Sequence, residues 1–209
     1  MLIKLSNATL TYMPKTPFET KALDNVSFNL KEGETVGIVG PAGSGKSTLG
    51  QVLSGLLSPD EGSLEINRRV TFLFQKPEKQ MFESDIFSEV AFGPRNLGFS
   101  EEQVEALVMR ALTTVGLEFE RYKDRSPFNL SGGEMRRVAI ASVLALDSAA
   151  FIMDEPTAGL DPHGKRLVID FLKGLKDQGK SLVLISHDTG QVQEVCERLV
   201  KLNKGRIVQ

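Results

Sequence analysis

Thr35-Val-Gly-Ile-Val39 runs into Gly40-Pro41-Ala42-Gly43-Ser44-Gly45-Lys46-Ser47-Thr48, and these fourteen residues decide the fold. The first five form an apolar run too short for a helix and predict a strand. The stretch that follows carries three glycines and little bulk. It predicts a turn whose backbone N–H groups curl around an anion and open a helix from Lys46 to Leu56, with positive potential at the helix N-terminus. Gly-x4-Gly-Lys-Ser between strand and helix is the phosphate-cradling P-loop pattern. Lys46 then reaches β- and γ-phosphates, and the Ser47 hydroxyl is suited to Mg²⁺. A merely flexible Gly/Ser turn is the bland alternative, and the strand before it and the helix after it argue against that.

Working outward, two more short apolar runs, Ala150–Met153 and Leu182–Ile185, each lead into polar residues and a helical pattern. Continuous rather than alternating hydrophobicity predicts strands covered on both faces, as in a parallel α/β sheet. Leu2 to Tyr12 and Ala22 to Leu30 instead alternate loosely, which predicts half-buried strands at the N-terminal end. Between them and the last two apolar runs the character changes. Val104, Leu107, Val108, Ala111 and Leu112 fall at helical spacing within Glu101–Val115, and a second helix is predicted over Gly132–Leu146. The expected organisation is one domain over 1–209, with a core at about 1–75 and 147–209 and a helical subdomain inserted at about 76–146.

Composition narrows the function classes. The 209 residues are 41% hydrophobic and 25% charged, enough to bury a core and remain soluble. Lys and Arg number 25 against 27 Asp and Glu, for a net charge of −2, which argues against a broad nucleic-acid footprint. Cys196 is the only cysteine and His163 and His187 the only histidines, so disulfide frameworks and Cys- or His-built metal cages are excluded. The longest nearly apolar run, Val138–Leu146, is far short of the roughly 20 residues a spanning helix needs. The start, Met1–Lys4, shows no signal-peptide core. An intracellular chain is expected.

Leu130-Ser131-Gly132-Gly133-Glu134 is the second decisive stretch. Ser131 and Glu134 have capping-box spacing, but two glycines in a helix's first turn each cost up to about 1 kcal/mol relative to alanine. The cost makes sense if an anion approaches bare backbone there. Here the sequence resembles the ATP-binding cassette (ABC) ATPases, whose signature is most often LSGGQ, with Glu in place of Gln. The likeness runs through the whole chain in family order. It implies a P-loop NTPase fold of ABC type: a RecA-like parallel-sheet core, an N-terminal antiparallel β subdomain and an inserted helical subdomain. It also implies that Ser131, Gly132, Gly133 and Glu134 meet the γ-phosphate of ATP held by the P-loop of a second subunit.

The same resemblance gives roles to scattered residues. In Phe151-Ile-Met-Asp154-Glu155-Pro156, it places Asp154 near the metal through water and makes Glu155 the base that orients and deprotonates attacking water. Gln75, after Val70–Phe74, matches the Q-loop glutamine, which senses Mg²⁺ and the attacking water. His187 matches the switch histidine on the γ-phosphate, and Tyr12 the aromatic that stacks on adenine. Asp161 lies in the D-loop stretch Ala158–Asp161 and, with Pro162 behind it, also reads as a helix N-cap. His163 reads as a solvated helix-start residue. ATP and Mg²⁺ are the implied cofactors, and hydrolysis to ADP and phosphate the implied reaction.

Phe74–Phe82 followed by Glu89–Gly98 is similar to the corresponding region of energy-coupling factor (ECF) transporter ATPases, including the cobalt and nickel importers. That likeness implies a micronutrient importer, for a vitamin or a cobalt or nickel ion. Its ATPase would sit peripherally on the cytoplasmic face of the membrane, as a homodimer or with a paralogous subunit, against a transmembrane coupling subunit and a substrate-binding membrane subunit. Met81, Phe82, Ile86, Phe87, Val90 and Phe92 supply apolar side chains for such docking or, alternatively, for packing inside the helical subdomain. ECF ATPases usually extend past the last core strand, whereas this sequence stops at Gln209, from which a weak resting dimer is expected. The alternative class is a soluble ABC ATPase, in iron–sulfur assembly or another non-transport role. A coiled-coil chromosome or repair protein is excluded, since Thr48 and Leu130 stand only 82 positions apart.

Overall fold

The computed structural model describes residues 1–75 and 81–208 and divides into two compact units. In chain order the elements of the first are β1 (Ile3–Tyr12), β2 (Thr20–Leu30), β3 (Thr35–Val39), α1 (Lys46–Leu53), β4 (Glu61–Ile66) and β5 (Val70–Leu73). The second unit, Leu73–Ser148 with Pro156–Leu172, contributes α2 (Ile86–Asn96), α3 (Glu101–Thr114), α4 (Phe119–Tyr122) and α5 (Gly132–Leu144). Next come β6 (Ala150–Asp154), α6 (Pro162–Asp177), β7 (Ser181–Ile185), α7 (Thr189–Val195), β8 (Arg198–Asn203) and β9 (Arg206–Ile207).

Two sheets divide the labour in the first unit. β2, β1 and β4 form an antiparallel sheet in that order, and the alternating burial of β1 and β2 matches their alternating sequence. The other sheet has the order β5-β6-β7-β3-β8-β9, with β6, β7, β3 and β8 parallel. Every residue of β6 and β7 is buried, as expected for strands covered on both faces. Register puts Ile38 beside Ile185 and Ile185 beside Asp154, so three strands end together at the carboxyl edge. In open α/β sheets that edge is where ligands bind.

Two predicted helix ends move inward. The helix expected to reach Leu56 stops at Leu53, because Gly55 turns left-handed (φ 78°) and the N–H groups of Leu56 and Leu57 fold back onto the Gln51 carbonyl. The helix expected to end at Leu146 ends at Leu144, where Asp147 takes φ 46° and donates to the Leu144 carbonyl. The second unit is helical throughout its core: Val104, Val108, Ala111 and Leu112 of α3 are buried, as their spacing predicts, together with Val138, Ile140 and Ala141 of α5.

The central strand is packed tightly enough to test. A Cβ added at Gly37 would lie 1.9 Å from Val192 Cγ1 and 2.9 Å from Leu199 Cδ2. Gly37→Ala is therefore expected to lower the thermal midpoint through overpacking worth about 1–3 kcal/mol, measurable by calorimetry.

Candidate active site

β3 delivers the glycine-rich turn to the carboxyl edge, and the turn's shape depends on missing side chains. A Cβ at Gly40 would stand 2.1 Å from the Leu202 carbonyl oxygen. Gly45, at φ 100°, caps α1 and would place a Cβ 2.3 Å from the Ala22 carbonyl oxygen. Lys46 is buried, and its Nζ donates to the Gly40 and Pro41 carbonyls at 2.9 and 2.8 Å. The ammonium is thus held in the middle of the loop. The Ser44 Oγ is buried and has no hydrogen-bond partner among the described residues, while nothing lies within 4 Å of a Cβ built on Gly43. A caged ammonium, an orphaned hydroxyl and an open glycine face fit a chain of phosphates.

Around this loop stand oxygen donors. Ser47 is exposed and Asp154 is buried at the end of β6; hydroxyl and carboxylate oxygen are what Mg²⁺ takes alongside substrate phosphates. The Tyr12 hydroxyl lies 3.3 Å from Thr48 Oγ1 while Tyr12 itself is 41% exposed, an aromatic surface tied to the start of α1.

Glu155 follows Asp154 with φ 51°, an uncommon conformation for a residue with a side chain. It is held there from several sides. Its N–H donates to the Ile185 carbonyl at 2.9 Å; its Oε1 accepts from the His187 N–H at 2.9 Å; its Oε2 accepts from Ser186 Oγ at 3.3 Å. His187 Nδ1 lies 2.7 Å from Glu155 Oε1, and since an ionised carboxylate only accepts, that nitrogen carries the hydrogen. The Glu155 carboxylate is 9% exposed and the imidazole 76%. The strained backbone is over-determined by its neighbours, as strain at working sites generally is.

In the second unit, Gln75 is an exposed bend after β5, and its carbonyl accepts from Arg136 Nη1 at 3.0 Å. Arg136 is buried in α5, and its Nε also donates to the Pro156 carbonyl at 2.8 Å. It joins the segments after β5 and after Glu155. The sequence reading passed over it; the available signal was a charge on the buried face of the predicted helix.

The signature stretch opens α5 as a complete capping box. Ser131 is the N-cap: its Oγ accepts from the Glu134 N–H at 3.3 Å and donates to Glu134 Oε2 at 2.7 Å, and its own N–H reaches the same oxygen at 3.0 Å. Tyr122, also passed over, donates its hydroxyl to Glu134 Oε1 at 2.7 Å. These bonds, Tyr122 first and then the Ser131 hydroxyl and N–H, pull the Glu134 carboxyl down to about 2, and the same contact pushes the Tyr122 phenol up. Gly132 has nothing within 4 Å of an added Cβ, and Gly133 only Leu160 at 3.8 Å. Asp161 caps α6, accepting from the Gly164 N–H at 2.6 Å, and His163 is exposed as expected. A cavity of about 330 Å³ is lined by Ser131, Gly133, Glu134, Gly159, Asp161 and Gly164, among others.

The Glu134 cap has a signed acid response. Its folded-state carboxyl titrates below the ordinary 4.5, so the cap's contribution is present above pH 4.5 and disappears as pH falls from there towards 2. The stability gap between the native protein and Glu134→Gln is expected to shrink over that window in urea titrations at pH 6 and pH 3.

Of the apolar side chains expected to form a docking surface, Met81, Ile86 and Val90 are buried and belong to the core of the second unit, which corrects that expectation for them. Phe82 and Phe92 are exposed and meet edge to face at 4.8 Å. Lys76–Gln80, part of the same expectation, lie outside the described residues. Buried Glu89 accepts from the N–H groups of Phe82 and Glu83 at 3.1 and 3.0 Å and so fixes the backbone ahead of α2.

Comparison with known proteins shows the family. The sequence model of the family described as ABC transporter matches residues 23–158. An energy-coupling factor transporter ATP-binding protein EcfA2 of Clostridium perfringens (strain 13 / Type A) is 43% identical over all of this chain and 79% of its own length. The protein of the same name from Symbiobacterium thermophilum is 46% identical over 94% of this chain and 73% of its own length. Among solved structures, the ATP-binding cassette MJ0796, in a dimeric post-hydrolysis state bound to ADP and Pi, superposes with a TM-score of 0.89 at 31% identity, covering 99% of this chain and 97% of that one. The structure of cbiO1 from Clostridium perfringens, part of the ABC transporter complex cbiONQ, gives 0.85 at 30% identity over 100% and 87%. A P-loop built for phosphates, a tethered carboxylate at the same sheet edge and a glycine-opened signature helix thus belong to a chain of known kin: it is a member of the ABC transporter ATPases, on their energy-coupling factor branch.

Proposed function

We propose that this ATPase works as one half of a two-subunit clamp that drives uptake of a micronutrient, a vitamin or a cobalt or nickel ion, through a transmembrane partner. Gly40–Thr48 of one subunit would hold ATP while Ser131, Gly132 and Gly133 of a second copy or a paralogous subunit, on a helix capped by Glu134, close over its γ-phosphate. One observation carries this reading: neither Gly132 nor Gly133 has a left-handed φ, and neither is crowded within the chain. Their cost to the helix is therefore compensated from outside it, and bare N–H groups at the start of a 13-residue helix suit an anion.

Within one such site, Lys46 and the loop N–H groups bind the phosphates and Tyr12 offers its ring to the base. Ser47 would hold Mg²⁺, Asp154 would do so through water, and Gln75 would sense the ion and the attacking water. The ion supplies charge neutralisation across the phosphate oxygens. Glu155 takes the proton of the attacking water, and His187, bonded to Glu155 through Nδ1, contacts the γ-phosphate by turning that N–H to it or by carrying a second hydrogen on its other nitrogen. Asp161 contributes at the subunit boundary. Among the described residues no helix is long and apolar enough to cross a membrane. A peripheral place on the cytoplasmic face, with the helical subdomain at about 76–146 turned to a membrane-embedded coupling subunit beside a substrate-binding one, is consistent with that and with the named relatives. Exposed Phe82 and Phe92 supply apolar anchors for such a partner.

Complementation between inactive variants tests the shared site. Lys46→Ala lacks a phosphate cradle and Ser131→Ala lacks a signature donor; a mixed dimer retains one intact composite site. Turnover recovered on mixing supports the clamp, and two inactive proteins that stay inactive together, while still dimerising, defeat it.

A further inference from the structure

The capping box at the signature does more than hold a helix end, because its serine has a single proton and that proton is already given away. Ser131 Oγ donates to Glu134 Oε2 at 2.7 Å. One of its lone pairs accepts from the Glu134 N–H at 3.3 Å, and its only hydrogen is committed inside the chain. A phosphate oxygen is an acceptor and needs that same hydrogen. Glu134 thus competes with nucleotide for the Ser131 proton, and does so with a full negative charge close to the place a phosphate would occupy. The glutamine of the commonest family form has no such charge and can itself donate.

The carboxylate's hold on Ser131 depends on what else serves it. Tyr122, buried in α4, donates to Oε1 at 2.7 Å, and the Ser131 N–H donates to Oε2 at 3.0 Å. Arg125 lies over the Tyr122 ring, 5.0 Å from its centroid. If the serine hydroxyl turns to a phosphate, Tyr122 and the backbone N–H still satisfy the carboxylate, one oxygen each.

We infer that Glu134 and Tyr122 are a positioning pair with opposed effects: Glu134 withholds the Ser131 hydroxyl from nucleotide, and Tyr122 eases its release, so that together they set the ATP concentration at which two subunits close. The inference rests on the clamp reading above, in which Ser131 meets the γ-phosphate of the opposite subunit.

The test measures the dimer fraction by sedimentation as Mg·ATP is titrated into protein carrying Glu155→Gln, which slows hydrolysis. Adding Glu134→Gln is expected to lower the ATP concentration for half-closure by roughly tenfold, since it removes a charge while keeping an acceptor for the Ser131 N–H. Adding Tyr122→Phe is expected to raise it several-fold, because the carboxylate then leans harder on Ser131. Combined with Glu134→Gln, the tyrosine change should have a much smaller effect. A purely structural cap predicts one sign for both changes, with closure weakened along with thermal stability. An unchanged or higher ATP requirement in the Glu134→Gln protein overturns the inference even if Tyr122→Phe folds poorly. Closure that is indifferent to Ser131→Ala instead overturns the clamp reading, and the inference falls with it.

Discussion

Replacing Glu155 by glutamine is expected to cut ATP turnover by about two to four orders of magnitude while leaving nucleotide binding in place, the range general-base catalysis commonly contributes. The substitution is nearly isosteric: the amide oxygen can still accept from the His187 N–H, and the amide NH2 can donate to Ser186 Oγ. The left-handed backbone at φ 51° costs either residue about the same. What disappears is the acceptor for a water proton. A structural role for Glu155, anchoring the turn into His187, predicts a different outcome: glutamine would preserve the anchor and most of the rate. Phosphate release in a single turnover, set beside binding of a fluorescent ATP analogue, separates the two. Turnover close to that of the native protein removes Glu155 from the chemistry.

How far this site could be read without coordinates depends on whether each residue's role is local. The P-loop was legible because its parts are consecutive: strand, glycines, lysine and helix start occur in one run, and β3 begins and ends where the apolar residues do. β6 and β7 were legible because two-sided burial leaves an uninterrupted apolar run. The capping box at Ser131 was legible from spacing alone. Contacts between segments distant in sequence were not. Tyr122 reaches Glu134 from twelve positions away across a turn, and Arg136 joins the Gln75 and Pro156 carbonyls, 61 and 20 positions away. Nor could composition say which apolar side chains between Met81 and Phe92 would be buried, because a helix begins at Ile86 and its N-cap, Asp85, looks like any polar loop residue. Helix ends were misjudged for a related reason: Gly55 and Asp147 end them through left-handed backbone that spacing does not reveal.

Lys46→Ala is expected to weaken ATP binding by roughly 30- to 1,000-fold, or about 2–4 kcal/mol, the range for truncating one partner of a buried charge-assisted contact. Two losses combine. The phosphates lose a cation, and the Gly40 and Pro41 carbonyls, now bonded by Nζ at 2.9 and 2.8 Å, are left facing an anion with no donor between them. The second loss means that the lysine shapes the loop before any nucleotide arrives. Lys46→Arg separates the terms. It keeps the charge, but a planar guanidinium replaces a compact ammonium in a cage formed by two carbonyls. If charge alone governs affinity, arginine should rescue most of the binding. If loop shape governs it as well, arginine should bind ATP scarcely better than alanine, and the carbonyl cage favours this second result. Calorimetric titration of both variants with ATP, alongside melting curves to verify folding, decides between them, and near-native affinity in the alanine variant would show that phosphate is held elsewhere.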